Sequence, residues 1–379
     1  MKLLCPYKVP SFFAGGIPRF IINLYSNNLN NFENKDITLI SINTKTTKNT
    51  IFKKYNKNLN ELIFSPFLNL KTISFSIKFF VFILLKSRQY DFIHYQHPDP
   101  ISALGIIICK LYSPKTRVIT TWHADVYKNY LFAAPILIII DFLIFLISHK
   151  IVYLTPLHLK SSLLGNLPIF SNKKEFIPNG IVLPKLPVVE KNIPLKDKKL
   201  IKFISIGRLV KYKGLENAIK ALSILLKEKP RINFKYLIIG SGPEEANLKD
   251  LTFNLGLTKY IEFKGEVNES KKENLLKDSD IYLFPSINQS EAYGLSQLES
   301  ISCGVPVINT NLQNGVNYLV PHNICGITVE KLRPDLIFDA ILKLYDDNHL
   351  YFKMSRNCIE RSKEFSIEKT RMLYSNLFS

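Results

Sequence analysis

Short apolar runs alternate with amphipathic segments from one end of this 379-residue sequence to the other. A run of four to eight apolar residues must bury both of its faces. When such runs are separated by segments of helical period, the solution is a set of parallel strands joined by crossover helices. The class is therefore α/β. In the first half "DITLISI", "YDFIHYQ", "TRVITTW" and "HKIVYLT" read as strands, while "GGIPRFIINLYSNNL", "PISALGIIICKLY" and the stretch after Tyr130 read as helices. Residues 179–199, with prolines among alternating lysines, have neither period and read as a linker region. A second series begins with "LIKFISIG" and continues through "LENAIKALSILLKE", "FKYLIIG", "YIEFKG", "DIYLFPS" and "GVPVINT". The length and a hydrophobic content of 46% suit two such domains. The expected division is a first Rossmann-like domain over 1–182, a linker over 183–199 and a second over 200–360. Helices read over 334–346 and 349–377, and the final part, 361–379, either braces the second domain or crosses back to the first. Two open sheets of this kind bind ligands at the carboxyl ends of their strands, so a cleft between those ends is expected to hold the site.

Charge is lopsided. Fifty Lys and Arg against 31 Asp and Glu give +19, which draws acidic partners: nucleic acid, anionic lipid or a phosphorylated substrate. The cations are spread along the chain and no zinc-finger or RNP signature is present, which argues against nucleic acid. Five cysteines at no metal-like spacing, and an N-terminus "MKLLCPYKVP" too short in apolar residues for a signal peptide, favour the reducing cytoplasm. Residues 131–150, "LFAAPILIIIDFLIFLISHK", are apolar enough to raise a membrane span. Pro135 and Asp141 inside them favour a buried or surface-docked helix. A second apolar segment, 72–88, is flanked by lysines and an arginine. The two either form one face resting on anionic lipid or pack as ordinary helices on a sheet.

Glycines and charges gather at the expected strand ends. Gly15 and Gly16 precede a helix, where free amides suit a phosphate or a sugar hydroxyl and where a tight turn also needs glycine. Arg208 and Lys213 share one strand-to-helix loop, "IGRLVKYKG", either converging on a diphosphate or standing as solvated cations. In "SINQSEAYGLSQLESISCGVPVINT" a helix starting near Gly294 would aim the amides of Gly294, Leu295 and Ser296 at an anion. Glu291 lies ahead of it and Glu299 in its second turn, placed to accept hydroxyl hydrogen bonds. A sugar diphosphate would satisfy both; the alternative is a capping glutamate and a surface one.

The ordered set "GGIPRF", "HYQHPDP", "TTWHADV", "IPNGI", "IGRLVKYKG", "IIGSGPEEANL", "FKGEV" and the stretch around Glu291 resembles the retaining glycosyltransferases of family 4, with the GT-B fold, over nearly the whole chain. The resemblance extends to a bacterial subgroup that builds cell-surface polysaccharide. It implies a nucleotide-diphosphate sugar donor, GDP-mannose favoured over a UDP-sugar, and a lipid-linked saccharide acceptor at the anionic inner leaflet. It implies that Arg208 and Lys213 neutralise the leaving diphosphate, Glu291 holds the donor sugar and Glu299 the ribose hydroxyls. Gly294 and Leu295 offer amides to the donor, Gly15 and Gly16 shape the first-domain side, and His123 lies near the reacting carbon. His94 and His97 are packed or solvated histidines, with an acceptor role as the alternative. Two departures bear on the sugar. Ala292–Tyr293–Gly294 stands where the family more often has Gly-Phe-Gly, so Tyr293 alters the sugar contacts. After Thr310, "LQNGV" replaces a glycine pair.

Breaking the anomeric bond builds negative charge on the leaving group, which cations and helix amides stabilise without a metal; no cofactor is expected. Closure of the domains over the donor is expected. The competing readings are a nucleotide-sugar epimerase on the same architecture and a non-enzymatic anion-binding protein.

Overall fold

The computed structural model describes residues 1–8, 16–26, 32, 35–43, 49–69, 74–123, 125, 133–184, 188 and 190–379. The chain divides into two compact units, residues 1–180 with 367–379, and residues 181–366.

The first unit is built on eight strands: β1 (Lys2–Pro6), β2 (Asp36–Ile42), β3 (Ile51–Lys54), β4 (Leu59–Phe64), β7 (Phe92–His97), β8 (Arg117–Trp122), β9 (Lys150–Tyr153) and β10 (Lys174–Phe176), with a short ribbon β5 (Leu68–Asn69) and β6 (Ser74–Phe75) apart from them. Their order is β10-β9-β8-β7-β1-β2-β4-β3, parallel except for the edge pair β3–β4. Alternate residues of each strand feed opposite cores, as a period of two requires. Leu4, Ile40, Ile93 and Tyr95 pack under helices α2 (Ile77–Lys86), α3 (Pro100–Tyr112) and α4 (Ala134–Ile147). Leu3, Cys5, Ile37 and Leu39 pack under α1 (Gly16–Tyr25) and the C-terminal helix. A short α5 (Pro156–Ser161) starts on Thr155, whose hydroxyl accepts from the amide of His158 at 3.0 Å.

The second unit carries six strands, β11 (Ile201–Ile206), β12 (Phe234–Ile239), β13 (Ile261–Gly265), β14 (Ile281–Phe284), β15 (Val307–Thr310) and β16 (Gly326–Val329). All pair in parallel in the order β13-β12-β11-β14-β15-β16. Every residue of β14 is buried, because helices cover both faces: α6 (Leu215–Glu228), α7 (Glu245–Asn254), α8 (Glu269–Lys277), α9 (Leu295–Ser302), α10 (Gly315–Leu319), α11 (Pro334–Asp346) and α12 (Asn348–Ser362). Strand order reverses between β11 and β14, and the loops after those two strands open the crevice where doubly wound sheets bind ligands.

Two expectations are corrected here. The segment read as a linker, 183–199, packs into the second unit at its described residues 190–199. Leu195 is in its core, Lys191 donates from its backbone to Ser355 Oγ at 2.9 Å, and Lys198 pairs with buried Asp280 at 2.5 Å. The helix read over 349–377 is two helices, α12 and α13 (Ile367–Leu377). The chain breaks at Phe365, whose carbonyl accepts the amide of Ile181 at 2.9 Å, and α13 belongs to the first unit. There Arg371 donates through Nε to the carbonyl of Asn23 at 3.0 Å, capping the C-terminal end of α1 with a cation. The apolar stretch read as a buried or surface-docked helix holds α4, whose 14 residues are about 21 Å long against a hydrocarbon layer of about 30 Å and which buries Ile140, Ile144 and Phe145. Among the described residues no helix is long and apolar enough to cross a membrane.

Candidate active site

In the second unit the loops after β11 and β14 line a pocket walled by Gly207, Arg208, Lys213, Phe284 and Ser286. Gly207 has φ +153, a conformation that favours glycine, and the end of the Lys213 side chain lies against it. The ammonium also lies 5.2 Å above the Phe284 ring. Arg208 stands exposed at the mouth. The sequence places these two cations on one loop, and the fold brings them to one pocket.

Lys213 forms an ion pair with Glu291, both side chains being largely shielded from solvent. Glu291 is held from behind, since Asn314 Nδ2 donates to its carbonyl at 2.7 Å. The backbone at Gly315 passes so close to this loop that a Cβ would meet Ala292 O at 2.4 Å. Tyr293 is buried beside it. Helix α9 begins at Leu295 with Gly294 as its N-cap and no side-chain cap, so its first amides are left for a ligand. Gly294 adjoins Phe284, which places that helix start at the pocket wall. One turn on, Glu299 is buried and receives Lys272 Nζ of α8 at 3.1 and 3.2 Å. Tyr282 of β14 lies under the site, its hydroxyl donating to Ile206 O at 3.0 Å; burial holds its pKa well above the usual phenol value.

The loop that follows β15 departs from ordinary backbone geometry. Gln313 has φ +52, a left-handed conformation that favours glycine, and its amide and that of Leu312 both donate to Asn317 Oδ1 at 2.8 Å.

In the first unit the strand ends are lined by histidines. His123 follows β8, is buried, and its Nε2 shares a 2.8 Å hydrogen bond with Gln96 Oε1. Burial, and then the neighbouring histidines, hold its pKa well below the ordinary value, so the ring is neutral, donates from Nε2 and keeps Nδ1 as an acceptor. Phe20 of α1 meets it edge-on at 6.0 Å, so the helix that Gly16 opens reaches the same strand end. Gly15 lies outside the described residues. His94 is locked in the core between Tyr25 and Thr121. His97 faces Asp141 of α4 at 3.0 Å, both buried.

Lys272, Asn314 and Gln96 escaped the sequence reading because each acts on a partner distant along the chain. Asp141 left a signal, a lone charge in an apolar helix, but its partner His97 became evident only in three dimensions. Among the described residues no group of three or more His, Cys, Asp or Glu side chains is placed to hold a metal ion. All five cysteines are buried and unbridged.

Comparison with known proteins adds the following. Residues 189–365 match the family model described as glycosyl transferases group 1, which spans nearly all of the second unit. An uncharacterized glycosyltransferase of Haemophilus influenzae is 30% identical over 202 residues, 52% of this chain and 54% of that protein. The D-rhamnosyltransferase WbpZ of Pseudomonas aeruginosa is 25% identical over 301 residues, 78% of this chain and 75% of that protein. The chain spans about half the length, or less, of the curated relatives that are 30% or more identical to it over the aligned residues. Among solved structures, HepE of Anabaena in complex with UDP superposes with a TM-score of 0.75 at 14% identity, covering 100% of this chain and 99% of that one. The lipopolysaccharide outer core galactosyltransferase WaaB superposes at 0.71 and 14%, covering 99% and 100%. The fold is GT-B, two Rossmann-like α/β domains with parallel sheets.

Proposed function

We propose that this chain, whose second unit matches the group 1 glycosyl transferases, moves a hexosyl unit from a nucleotide-diphosphate sugar to a hydroxyl of a lipid-linked oligosaccharide, in the assembly of surface polysaccharide at the inner leaflet. The observation that carries the reading is the arrangement around one pocket at the strand-order reversal. Arg208 and Lys213 line it, Glu291 pairs with Lys213, and the uncapped start of α9 abuts its Phe284 wall.

In this reading the diphosphate lies against Arg208, Lys213 and the α9 amides, which stabilise the charge that develops as the anomeric C–O bond breaks. Charge-assisted contacts of this kind are worth about 1.5–3 kcal/mol each when shielded. Glu291 exchanges its lysine for the hydroxyls of the hexose, and Glu299 takes those of the ribose. Transfer proceeds by front-face attack with retention. The acceptor oxygen bonds to the anomeric carbon on the side the diphosphate leaves, and the acceptor proton passes to the departing phosphate oxygen. No metal enters the step. His123, neutral and fixed by Gln96, positions the acceptor side of the first unit.

HepE is recorded with UDP and with UDP-glucose in the same fold, which makes UDP the first nucleotide to test; GDP, expected from the sequence resemblance, is the second. Titration calorimetry of the full chain with each, in excess chelator, tests the reading. Binding of one of them without metal supports it. Binding of neither sinks it and moves a non-enzymatic anion-binding protein to the front. Release of an epimerised sugar without acceptor would favour the epimerase.

A further inference from the structure

Helices α2, α3 and α4 lie side by side over one face of the first unit's sheet, each turning a buried stripe inward through Phe79 and Ile83, Ala103 and Ile106, and Ile140 and Ile144. A helix in such a layer ordinarily shows polar residues on its outer side. These three do not. Leu85 of α2 is 60% exposed, Leu111 of α3 81% and Ile136 of α4 64%, and Val81, Ile108 and Ile139 extend the same outer stripes. The second unit, built on the same plan, supplies an internal control. Phe253 is the one large apolar side chain exposed on its helices α6 to α12. A contiguous apolar face of this kind on a single domain marks an interaction surface.

Its border identifies the partner. Lys78, Lys86, Arg88 and Lys115 stand exposed around the stripes. The only carboxylate on the three helices, Asp141, is buried against His97. An apolar face rimmed by cations and free of exposed acid complements a surface that is hydrocarbon inside and anionic at its edge. A second copy of the chain is disfavoured, because a two-fold pair would set the same lysines against each other. Among the described residues no helix is long and apolar enough to span, and the face is placed in the plane of the interface.

We infer that the outer face of α2, α3 and α4 docks on an anionic lipid bilayer, its apolar side chains entering the headgroup region and its cations contacting lipid phosphates. The inference deepens the proposed function and rests on it for the lipid-linked acceptor alone. Asp141 ties α4 to His97 at the end of β7, so docking this face also fixes the height of the first unit's strand ends above the bilayer.

Flotation of the full chain with vesicles tests it, using phosphatidylcholine alone and phosphatidylcholine mixed with phosphatidylglycerol, at low and high salt. The chain is expected to float with the anionic vesicles and to retain part of its binding in high salt. A Leu85→Ser, Leu111→Ser, Ile136→Ser variant replaces exposed side chains only. It is expected to lose vesicle affinity about tenfold or more while keeping wild-type nucleotide affinity and cooperative unfolding. A Lys86→Glu, Lys115→Glu variant is expected to lose binding to the anionic vesicles alone. Failure of the wild type to float, or wild-type flotation of the serine variant, overturns the inference. So does a wild-type dimer that the serine variant converts to monomer. Vesicle binding without nucleotide binding leaves the docking face standing and removes the transferase reading.

Discussion

Lys213 and Glu291, which the resemblance assigns to the leaving diphosphate and to the donor sugar, are paired with each other, at 14% and 11% side-chain exposure. The pocket thus keeps this carboxylate beside a cation, and under the proposed function a donor takes over that contact. A largely shielded pair of this kind resists loss of either partner, since the survivor is left as an uncompensated charge.

Glu291→Gln keeps the shape of the site while removing the charge. Nucleotide affinity is expected to stay within a few-fold of wild type, because the diphosphate contacts persist, while turnover falls roughly 100-fold. Steady-state kinetics beside calorimetry separates the two. Near-normal turnover would remove Glu291 from the chemistry.

Arg208 is exposed, so its loss should cost little stability, within about 0.5 kcal/mol. Arg208→Ala is expected to weaken nucleoside diphosphate binding about tenfold and nucleoside monophosphate binding less, as a diphosphate contact requires. Equal losses for both nucleotides would place the arginine elsewhere.

Gln313 occupies a left-handed conformation that a side chain disfavours. Gln313→Gly should relieve that strain and stabilise the chain by about 0.5–1 kcal/mol after the entropy glycine adds to the unfolded state. A urea midpoint that fails to rise would show the conformation to be unstrained.

Gly315→Ala pushes a methyl group against the carbonyl of Ala292, a backbone atom one residue from Glu291. A loss of about 1–3 kcal/mol is expected in chemical unfolding, with binding of a nucleotide sugar weakened more than binding of the bare nucleotide. Equal weakening of the two would mean that the strain spreads past the sugar.

Burial drives the pKa of His94 down from 6.5 to about 3. The folded chain refuses a proton that the unfolded chain accepts between those values. Stability from this group is therefore complete above about pH 6.5 and is lost as pH falls toward 3, at up to about 1.4 kcal/mol per pH unit. His123, lowered for the same first reason, adds in the same direction. Unfolding free energies of wild type and His94→Gln measured between pH 4 and 7 should converge at the acid end. Parallel curves would assign the acid limb to carboxylates.

Much of this architecture is written in local pattern. The segment "PISALGIIICKLY" forms α3 from its first residue to its last, and "LENAIKALSILLKE" forms α6 likewise, because each has a full apolar stripe and a clear start. Strands β4, β10 and β16 went unread: "LNELIF" carries a buried glutamate, "KEF" is three residues long and "GITV" opens on glycine, so none shows an apolar run. Tertiary contacts define them. The cations and glutamates of the second unit were legible since one loop or one helix turn brings each set together. Lys272, which reaches Glu299 from α8, was not, since nothing in "ESKKENLLK" distinguishes one lysine from the next.

Helix α13 completes the first unit from the far end of the sequence. Tyr374 hydrogen-bonds Thr121 of β8 at 2.8 Å and its ring lies 5.1 Å from that of His94, while Phe378 packs on Phe92. A ribosome therefore finishes every strand of the first unit well before it has made the residues that close the unit's core, and the whole of residues 181–366 emerges in between. The half of the protein that is synthesised first is the half that can be completed only last, and until then a nascent chain carries an open hydrophobic seam for chaperones or proteases to find.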